Sequence, residues 1–370
     1  MKNILVYGLT ATKGGVESFL MNYYRNFDLN KVNLHFISNT EEAAYEDEVL
    51  ALGGKVFKVC SKKKNPFKFK RDLENIFKEN KYDAIWVNLC SLANIDYLKV
   101  AKKYGIKEII VHSHNAGNMY GKLKLYFHEK NKKNIDSYAN HFWSCSRLAS
   151  KWLYEDEIIN SDKFKVINNA IDIEKFDYNE DIREKYREDM NLKDKFVLMN
   201  VGRFNIQKNH HFLIDVFNEV RKEINEAKLL LVGVGELEDE IKDKVSKLGL
   251  NDYVEFLGTR NDVNNLMQAS DVFLMPSLFE GLPVSAVEAQ ASGIRCILSD
   301  KITDEIKITD LVEFLDIDKE DSVDKWKDLI KSIKDKGLDD RKSKKEDIKN
   351  AGFDIKSEAK KLEEFFLNKI

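Results

Sequence analysis

"SLFEGLPVSAVEAQASG", residues 277–293, places Glu280 and Glu288 eight positions apart, the second among Val284, Ala286, Val287, Ala289 and Ala291. A buried carboxylate without a partner costs several kcal/mol, comparable to the whole stability of a domain. Glu288 therefore either pairs with a buried lysine or arginine or faces a ligand. The flanks place it. Residues 271–275 read as an apolar strand ended by Pro276, and Pro283 opens a helix that runs to about Ser292, with Gly293 as its stop. The backbone N–H groups of Gly281, Leu282 and Val284 would then point out of a helix start, a geometry that binds anions and phosphates in particular. Glu280 lies in the loop before that start and Glu288 one turn beyond Val284 on the same face. Both could accept hydrogen bonds from sugar or ribose hydroxyls; the alternative is a solvated Glu280 and a salt-bridged Glu288.

The strand–loop–helix pattern repeats outward from this stretch. Short β-rich runs occur at 4–7, 32–37, 55–59, 84–88, 108–112, 141–145 and 165–167, then at 196–201, 227–232, 254–257, 271–275, 296–298 and 312–315. Many are apolar without alternation, as parallel strands covered on both faces are, and helical patterns separate them. The fold class is α/β: two doubly wound, Rossmann-like domains facing a central cleft. The rhythm breaks in the polar stretch 168–194. The expected organisation is a first domain over 1–170, a linker over 171–194, a second domain over 195–352 and a terminal helix over 353–370.

Composition bounds the class. The chain has 370 residues, 43% hydrophobic and 33% charged, with three prolines and seventeen glycines, which fits a soluble two-domain protein. No apolar run approaches the ~20 residues that span a bilayer. A strand-like run starts at residue 3, which leaves no room for a signal peptide. Cys60, Cys90, Cys145 and Cys296 form no CxxC pair and read as buried thiols of a cytoplasmic protein. Residues 1–170 hold 27 Lys+Arg against 19 Asp+Glu, and the remainder 33 against 44. The basic half suits an anionic surface or substrate.

Four further stretches carry chemistry. In "NVGRFNIQKNHHFLI" (200–214), Arg203 and Lys208 follow a strand end and are spaced to reach one diphosphate. In "LLLVGVGELEDEI" (229–241), Gly233 and Gly235 open a turn but lack the third glycine of a dinucleotide fingerprint. In "VYGLTATKGGVESFL" (6–20), Gly14 and Gly15 precede a helix and would expose N–H groups to phosphate. In "IIVHSHNAGNMYG" (109–121), His112 and His114 end a strand, where a histidine facing a cleft is a functional candidate. No metal-ligand spacing, GxSxG, HExxH or GKS/T motif is present. Finally, "KKKNPFKFKR" (62–71) interleaves Lys62, Lys63, Lys64, Lys68, Lys70 and Arg71 with Phe67 and Phe69. That composition suits an anionic membrane surface; no nucleic-acid reader motif accompanies it.

Together, the Glu280-x7-Glu288 element, "VGRFNIQKNH", "LVGVGEL", "VEFLG", "VHSHNA", "SCS" and the Gly14–Gly15 loop resemble the family 4 retaining glycosyltransferases, most of all those of bacterial capsule and exopolysaccharide clusters. The resemblance spans nearly the whole chain. It implies a GT-B fold, with the acceptor on the first domain, a UDP-sugar on the second, and the last helix crossing back to the first. It implies that Arg203 and Lys208 hold the donor diphosphate and stabilise the leaving UDP, and that Gly14 and Gly15 close over the phosphates. Gly233 would border the donor, and Leu257 would meet the base through its backbone. Glu280 would contact the donor sugar, with the N–H groups of Gly281, Leu282 and Val284 nearby, and Glu288 would accept the ribose hydroxyls. His114 would lie near donor sugar and acceptor. No metal is expected, since cations and helix starts stabilise the leaving group. The acceptor would be a saccharide or a polyprenyl-diphosphate-linked saccharide, and the protein would be cytoplasmic, peripheral at the inner face of the plasma membrane. One departure is Arg295 in "ASGIRC", where the family usually has proline. A UDP-sugar epimerase of the same fold and a non-catalytic nucleotide-sugar or glycan-binding protein are the competing readings.

Overall fold

A computed structural model describes residues 1–115, 117, 121–337 and 341–370. The chain divides into two units, Met1–Ala170 with Asp354–Ile370, and Ile171–Phe353.

The first unit is built on a seven-stranded sheet, β1 (Lys2–Leu9), β2 (Val32–Ser38), β3 (Lys55–Lys58), β4 (Ala84–Leu89), β5 (Glu108–Ser113), β6 (His141–Ser144) and β7 (Phe164–Val166), in the order β3-β2-β1-β4-β5-β6-β7. Every pairing is parallel. The order reverses between β1 and β4, so the carboxyl ends of these strands flank a switch point. The second unit has a six-stranded parallel sheet, β8 (Phe196–Val201), β9 (Ala227–Val232), β10 (Val254–Phe256), β11 (Val272–Met275), β12 (Arg295–Ser299) and β13 (Val312–Leu315), ordered β10-β9-β8-β11-β12-β13. Its switch point lies between β8 and β11. All thirteen strands fall on the β-rich runs of the sequence.

Eight helices bear on function: α1 (Gly15–Tyr24), α2 (Pro66–Glu79), α3 (Lys122–Lys132), α4 (Ile173–Phe176), α5 (Glu180–Asp189), α6 (His210–Glu223), α7 (Val284–Ala291) and α8 (Ile355–Lys369). In α8, Ile355, Ala359, Leu362 and Phe366 recur at helical spacing and are buried in the core that also holds Phe19, Trp86 and Trp143. The terminal helix thus packs within the first unit, and each fully buried large side chain contributes roughly 1.5–3 kcal/mol.

The stretch 171–194, expected as a linker, is part of the second unit and contains α4 and α5. Its anchoring is polar. Arg183 donates to Asp271 Oδ1 at 2.5 Å and to the carbonyls of Gln268 and Ser270, and Arg187 donates to the Ala269 carbonyl at 2.8 Å. These carbonyls close the helix Val263–Ala269, whose last turn lacks intrahelical donors. α5 has no buried apolar residue, so apolar periodicity cannot reveal it.

The segment 62–71 also departs from expectation. Asn65 caps α2 by accepting the Lys68 N–H, and Pro66 occupies the first turn. Helical spacing then groups Phe69 with Leu73, Ile76 and Phe77 in the core, leaving Phe67 exposed. Lys62 is paired with Asp96 at 2.5 Å and bonded to Asn94. Only Phe67 is an outward apolar group here. The four cysteines form no disulfide; Cys145 and Cys296 are buried, while Cys60 and Cys90 are half-buried.

Candidate active site

The carboxyl edge of the second sheet gathers most of the sequence-predicted residues. Arg203 and Lys208 lie on the loop after β8, Glu280 on the loop after β11, and Glu288 on α7. The two loops are tied by Gln207, whose Nε2 donates to the Phe279 carbonyl at 2.9 Å while its own carbonyl accepts the Leu278 N–H at 2.8 Å. Asn205 Oδ1 accepts the Lys208 N–H at 3.0 Å, and Asn209 adopts φ +53° to turn the chain into α6. Lys208 Nζ reaches 2.7 Å from Glu280 Oε1 without hydrogen-bond alignment, so charge holds the contact. Glu280 is itself nearly buried and bridges in parallel to Ile302.

Glycines let these loops approach one another. A Cβ on Gly202 would stand 3.1–3.2 Å from the Lys208 stem. A Cβ on Gly233 would meet the Gly202 carbonyl oxygen at 2.1 Å, and one on Gly235 the Phe204 carbonyl oxygen at 2.3 Å. Gly233 also donates its N–H to Gly258. Packing between loops requires both glycines, of which the resemblance placed Gly233 beside the donor. Arg203 is solvent-facing and pairs with Glu236 at 3.1 Å, a contact sequence reasoning missed; an acid directly after Gly235 was its signal. His210 stacks on Phe204 with ring centroids 4.3 Å apart, and its ring nitrogens are buried without partners among the described residues. Burial, then Lys208 and His211, pull it down to about 4, so it is neutral at pH 7.

Glu288 stands one turn into α7. Its half-buried carboxylate has no hydrogen-bond or ion-pair partner among the described residues, so the salt-bridged alternative is not what the structure contains. Burial raises it to about 7, with Lys175 on α4 opposing. Helix α7 begins after Pro283, which offers no side-chain cap to the first N–H groups of the helix. Leu257 follows β10 and donates its N–H to Leu231.

Helix α1 in the first unit behaves differently. Glu17 caps it, with Oε2 accepting the Gly14 N–H at 3.2 Å and Oε1 accepting Thr10 Oγ1 at 2.6 Å. The helix's own carboxylate thus takes the Gly14 N–H expected for phosphate; the G-x-x-E spacing was the signal. Gly15 faces open space. Asn88, on β4, donates Nδ2 to the Tyr7 carbonyl, so its Oδ1 accepts the Nε2–H of His114, just after β5, at 2.8 Å and leaves His114 Nδ1 an acceptor. Burial pulls His114 down to about 3. His112, 4.1 Å away ring to ring, is fully buried beside Trp86. Among the described residues no three His, Cys, Asp or Glu side chains cluster as metal ligands.

The amino-acid sequence matches the model of "Glycosyltransferase Family 4" over residues 13–175 and of "Glycosyl transferases group 1" over 182–352. It is 32% identical over 352 residues to EpsF of Bacillus subtilis (strain 168), named as a glycosyltransferase, covering 92% of this chain and 90% of that one. The chain is a family 4 glycosyltransferase. This glycosyltransferase is also 38% identical over 163 residues to the UDP-Gal:alpha-D-GlcNAc-diphosphoundecaprenol alpha-1,3-galactosyltransferase of Escherichia coli, over 41% of this chain and 39% of that one. The Anabaena protein HepE, solved in complex with UDP, shares 17% identity and superposes with a TM-score of 0.77 over 98% of this chain and 99% of that one. That likeness establishes the glycosyltransferase's fold as GT-B.

Proposed function

We propose that this glycosyltransferase moves a hexosyl or N-acetylhexosaminyl group, with retention, from a UDP-sugar to a lipid-diphosphate-linked saccharide during surface polysaccharide assembly. The observation that carries the reading is the Glu288 carboxylate, without a hydrogen-bond or ion-pair partner among the described residues, one turn into a helix whose N-cap Pro283 offers no side-chain cap, on the sheet edge that also presents Arg203 and the Lys208–Glu280 pair. A nucleoside diphosphate matches the chemistry of these groups. Ribose hydroxyls donate to Glu288, and the diphosphate accepts from Arg203, Lys208 and the N-terminal end of α7. The Leu257 backbone would border the base, with Gly233 beside it, and Glu280 would contact the sugar.

Bond cleavage places negative charge on the departing UDP. Cations and a helix start fixed before the reaction stabilise that charge without reorganisation, and each tenfold of rate corresponds to about 1.4 kcal/mol. His114, neutral and oriented by Asn88, serves as acceptor-side hydrogen-bonding group, and Gly15 leaves space for phosphate oxygens. The E. coli relative's named substrates, a UDP-sugar and a diphosphoundecaprenol-linked sugar, support both substrate classes. No helix among the described residues is long and apolar enough to cross a membrane. Contact with the lipid carrier would be peripheral, at a cytoplasmic face.

Incubating the purified protein with radiolabelled UDP-sugars and polyprenyl-diphosphate-linked acceptors tests the reading. Label moving into the lipid phase is expected. Interconversion of free UDP-sugars without acceptor would favour an epimerase.

A further inference from the structure

The amino edge of the second sheet, opposite the edge that carries the candidate active site, holds a cavity of about 440 Å³. It opens where β8, β9 and β10 begin and where α5 ends. β8 and β9 are six residues long and rise roughly 3.3 Å per residue, which sets the cavity ~20 Å from the loops of Lys208 and Glu280. Cations fix its backbone. The Arg221 guanidinium carbon lies 3.6 Å from the centre of the Tyr253 ring, and the same group donates to the Ile224 carbonyl at 3.2 Å and to the Asn225 carbonyl. Lys228 Nζ donates to the Asp252 carbonyl at 2.8 Å, and Arg187 donates to the Lys195 carbonyl. Asn191 adopts φ +55° to turn the chain out of α5. Two acids of the wall are matched: Glu255 stands 3.4 Å from Lys228, and Glu226 pairs with Lys334 at 2.7 Å. The side chains of Asn191, Lys195, Asn225 and Asp252 line the cavity without a hydrogen-bond or ion-pair partner among the described residues.

We propose that this cavity is a second saccharide site, which takes a neutral oligosaccharide away from the donor pocket. Its volume falls within the roughly 300–1,000 Å³ of small-molecule sites, but those are lined mainly by apolar side chains and this one by amides and charges. Such a lining suits a ligand that replaces water's hydrogen bonds at many points. Sugar hydroxyls both donate and accept: Asp252 and the amide oxygens of Asn191 and Asn225 accept from them, while Lys195 and the amide nitrogens donate. The one free ammonium and the one free carboxylate offset each other. An anionic ligand would meet one attraction and one repulsion, whereas an uncharged ligand uses both groups as hydrogen-bonding partners. A backbone fixed before binding limits the ordering that binding requires. The proposal rests on the polysaccharide reading for its purpose alone: a saccharide chain held at this edge keeps its reacting end at raised effective concentration near the enzyme.

The test is saturation-transfer NMR of the full chain with maltotetraose, cellotetraose and tetra-N-acetylchitotetraose, each with and without saturating UDP. At least one should bind, and UDP should not displace it. The double variant Asn225→Ala, Asp252→Ala should weaken that binding at least about tenfold. It should keep the wild-type melting temperature and UDP affinity, since neither side chain has a partner to lose. Lys195→Ala should weaken oligosaccharide binding in the same direction. Failure of every oligosaccharide to bind overturns the proposal. So does equal binding by wild type and both variants, which would put the saccharide elsewhere on the molecule, and so does displacement by UDP, which would put it in the donor pocket. The oligosaccharide measurements need neither donor nor lipid. A protein that binds oligosaccharide as described but neither binds UDP nor transfers sugar would therefore count against the proposed function and support this site.

Discussion

Lys208 and Glu280 form a partly buried ion pair, Nζ to Oε1 2.7 Å, although they stand on loops that follow different strands on either side of the second sheet's switch point. The pair joins the group proposed for the diphosphate to the one proposed for the sugar. It also holds both in place before a donor arrives.

Lys208→Ala should reduce transfer at least tenfold, since it removes a charge-assisted contact worth about 1.5–3 kcal/mol. It should also lower the melting temperature, because Glu280 keeps a nearly buried carboxylate without its cation. Lys208→Ala with Glu280→Ala should recover the melting temperature and not the activity. Thermal denaturation and initial rates on the same three preparations separate the two roles; near-normal turnover in Lys208→Ala contradicts the diphosphate assignment.

Arg203 is tied to Glu236 at the surface, and such exposed pairs are worth about 0–1 kcal/mol. A donor phosphate would have to displace Glu236. Glu236→Gln should therefore tighten UDP binding by up to about fivefold at low salt, with the gain shrinking as salt rises. Arg203→Ala should weaken binding and transfer at least tenfold. Weaker UDP binding in Glu236→Gln would show that Glu236 contacts the donor directly.

Glu288, raised to about 7 by burial, makes donor binding pH-dependent. Ribose hydroxyls donate to the ionised carboxylate, so UDP affinity should rise from pH 6 to pH 8 and binding near pH 7 should release a proton. Titration in two buffers of different ionisation enthalpy measures it. The stability effect has the opposite sign. A folded carboxyl raised above its unfolded value binds more protons folded than unfolded between about pH 4.5 and pH 7, so the unliganded protein loses stability as pH rises through that window. Glu288→Gln should abolish the pH dependence of UDP binding and raise the melting temperature at pH 8 but not at pH 4.5.

The strands were legible because parallel strands covered on both faces are apolar runs, and the Glu280–Glu288 stretch because a carboxylate among small apolar residues demands an explanation. What escaped was held by polar contacts. α5 is anchored through Arg183 and Arg187, and Glu17 fills the α1 start through a capping box that "GGVE" encodes. The placement of Phe69 was available from its spacing to Leu73, Ile76 and Phe77, which charge counting over 62–71 obscured. The pairings Lys208–Glu280 and Arg203–Glu236 join residues 72 and 33 positions apart, and no local pattern connects them.

Glycine substitutions should divide by what the new methyl meets. Gly202→Ala puts Cβ against the flexible Lys208 stem at 3.1 Å, so it should fold normally and weaken UDP binding by displacing the lysine. Gly235→Ala drives Cβ into the Phe204 backbone at 2.3 Å, which side-chain motion cannot relieve. It should cost about 1–3 kcal/mol or more and lower expression and melting temperature. Equal stability of the two variants would contradict the loop packing described.

The most direct test of the donor site is calorimetric titration of the purified protein with UDP, GDP and NAD in buffer containing EDTA. The account predicts selective, metal-independent binding of UDP, lost in Lys208→Ala and pH-insensitive in Glu288→Gln. Binding of GDP or NAD in preference to UDP, or UDP binding untouched by both substitutions, would contradict it.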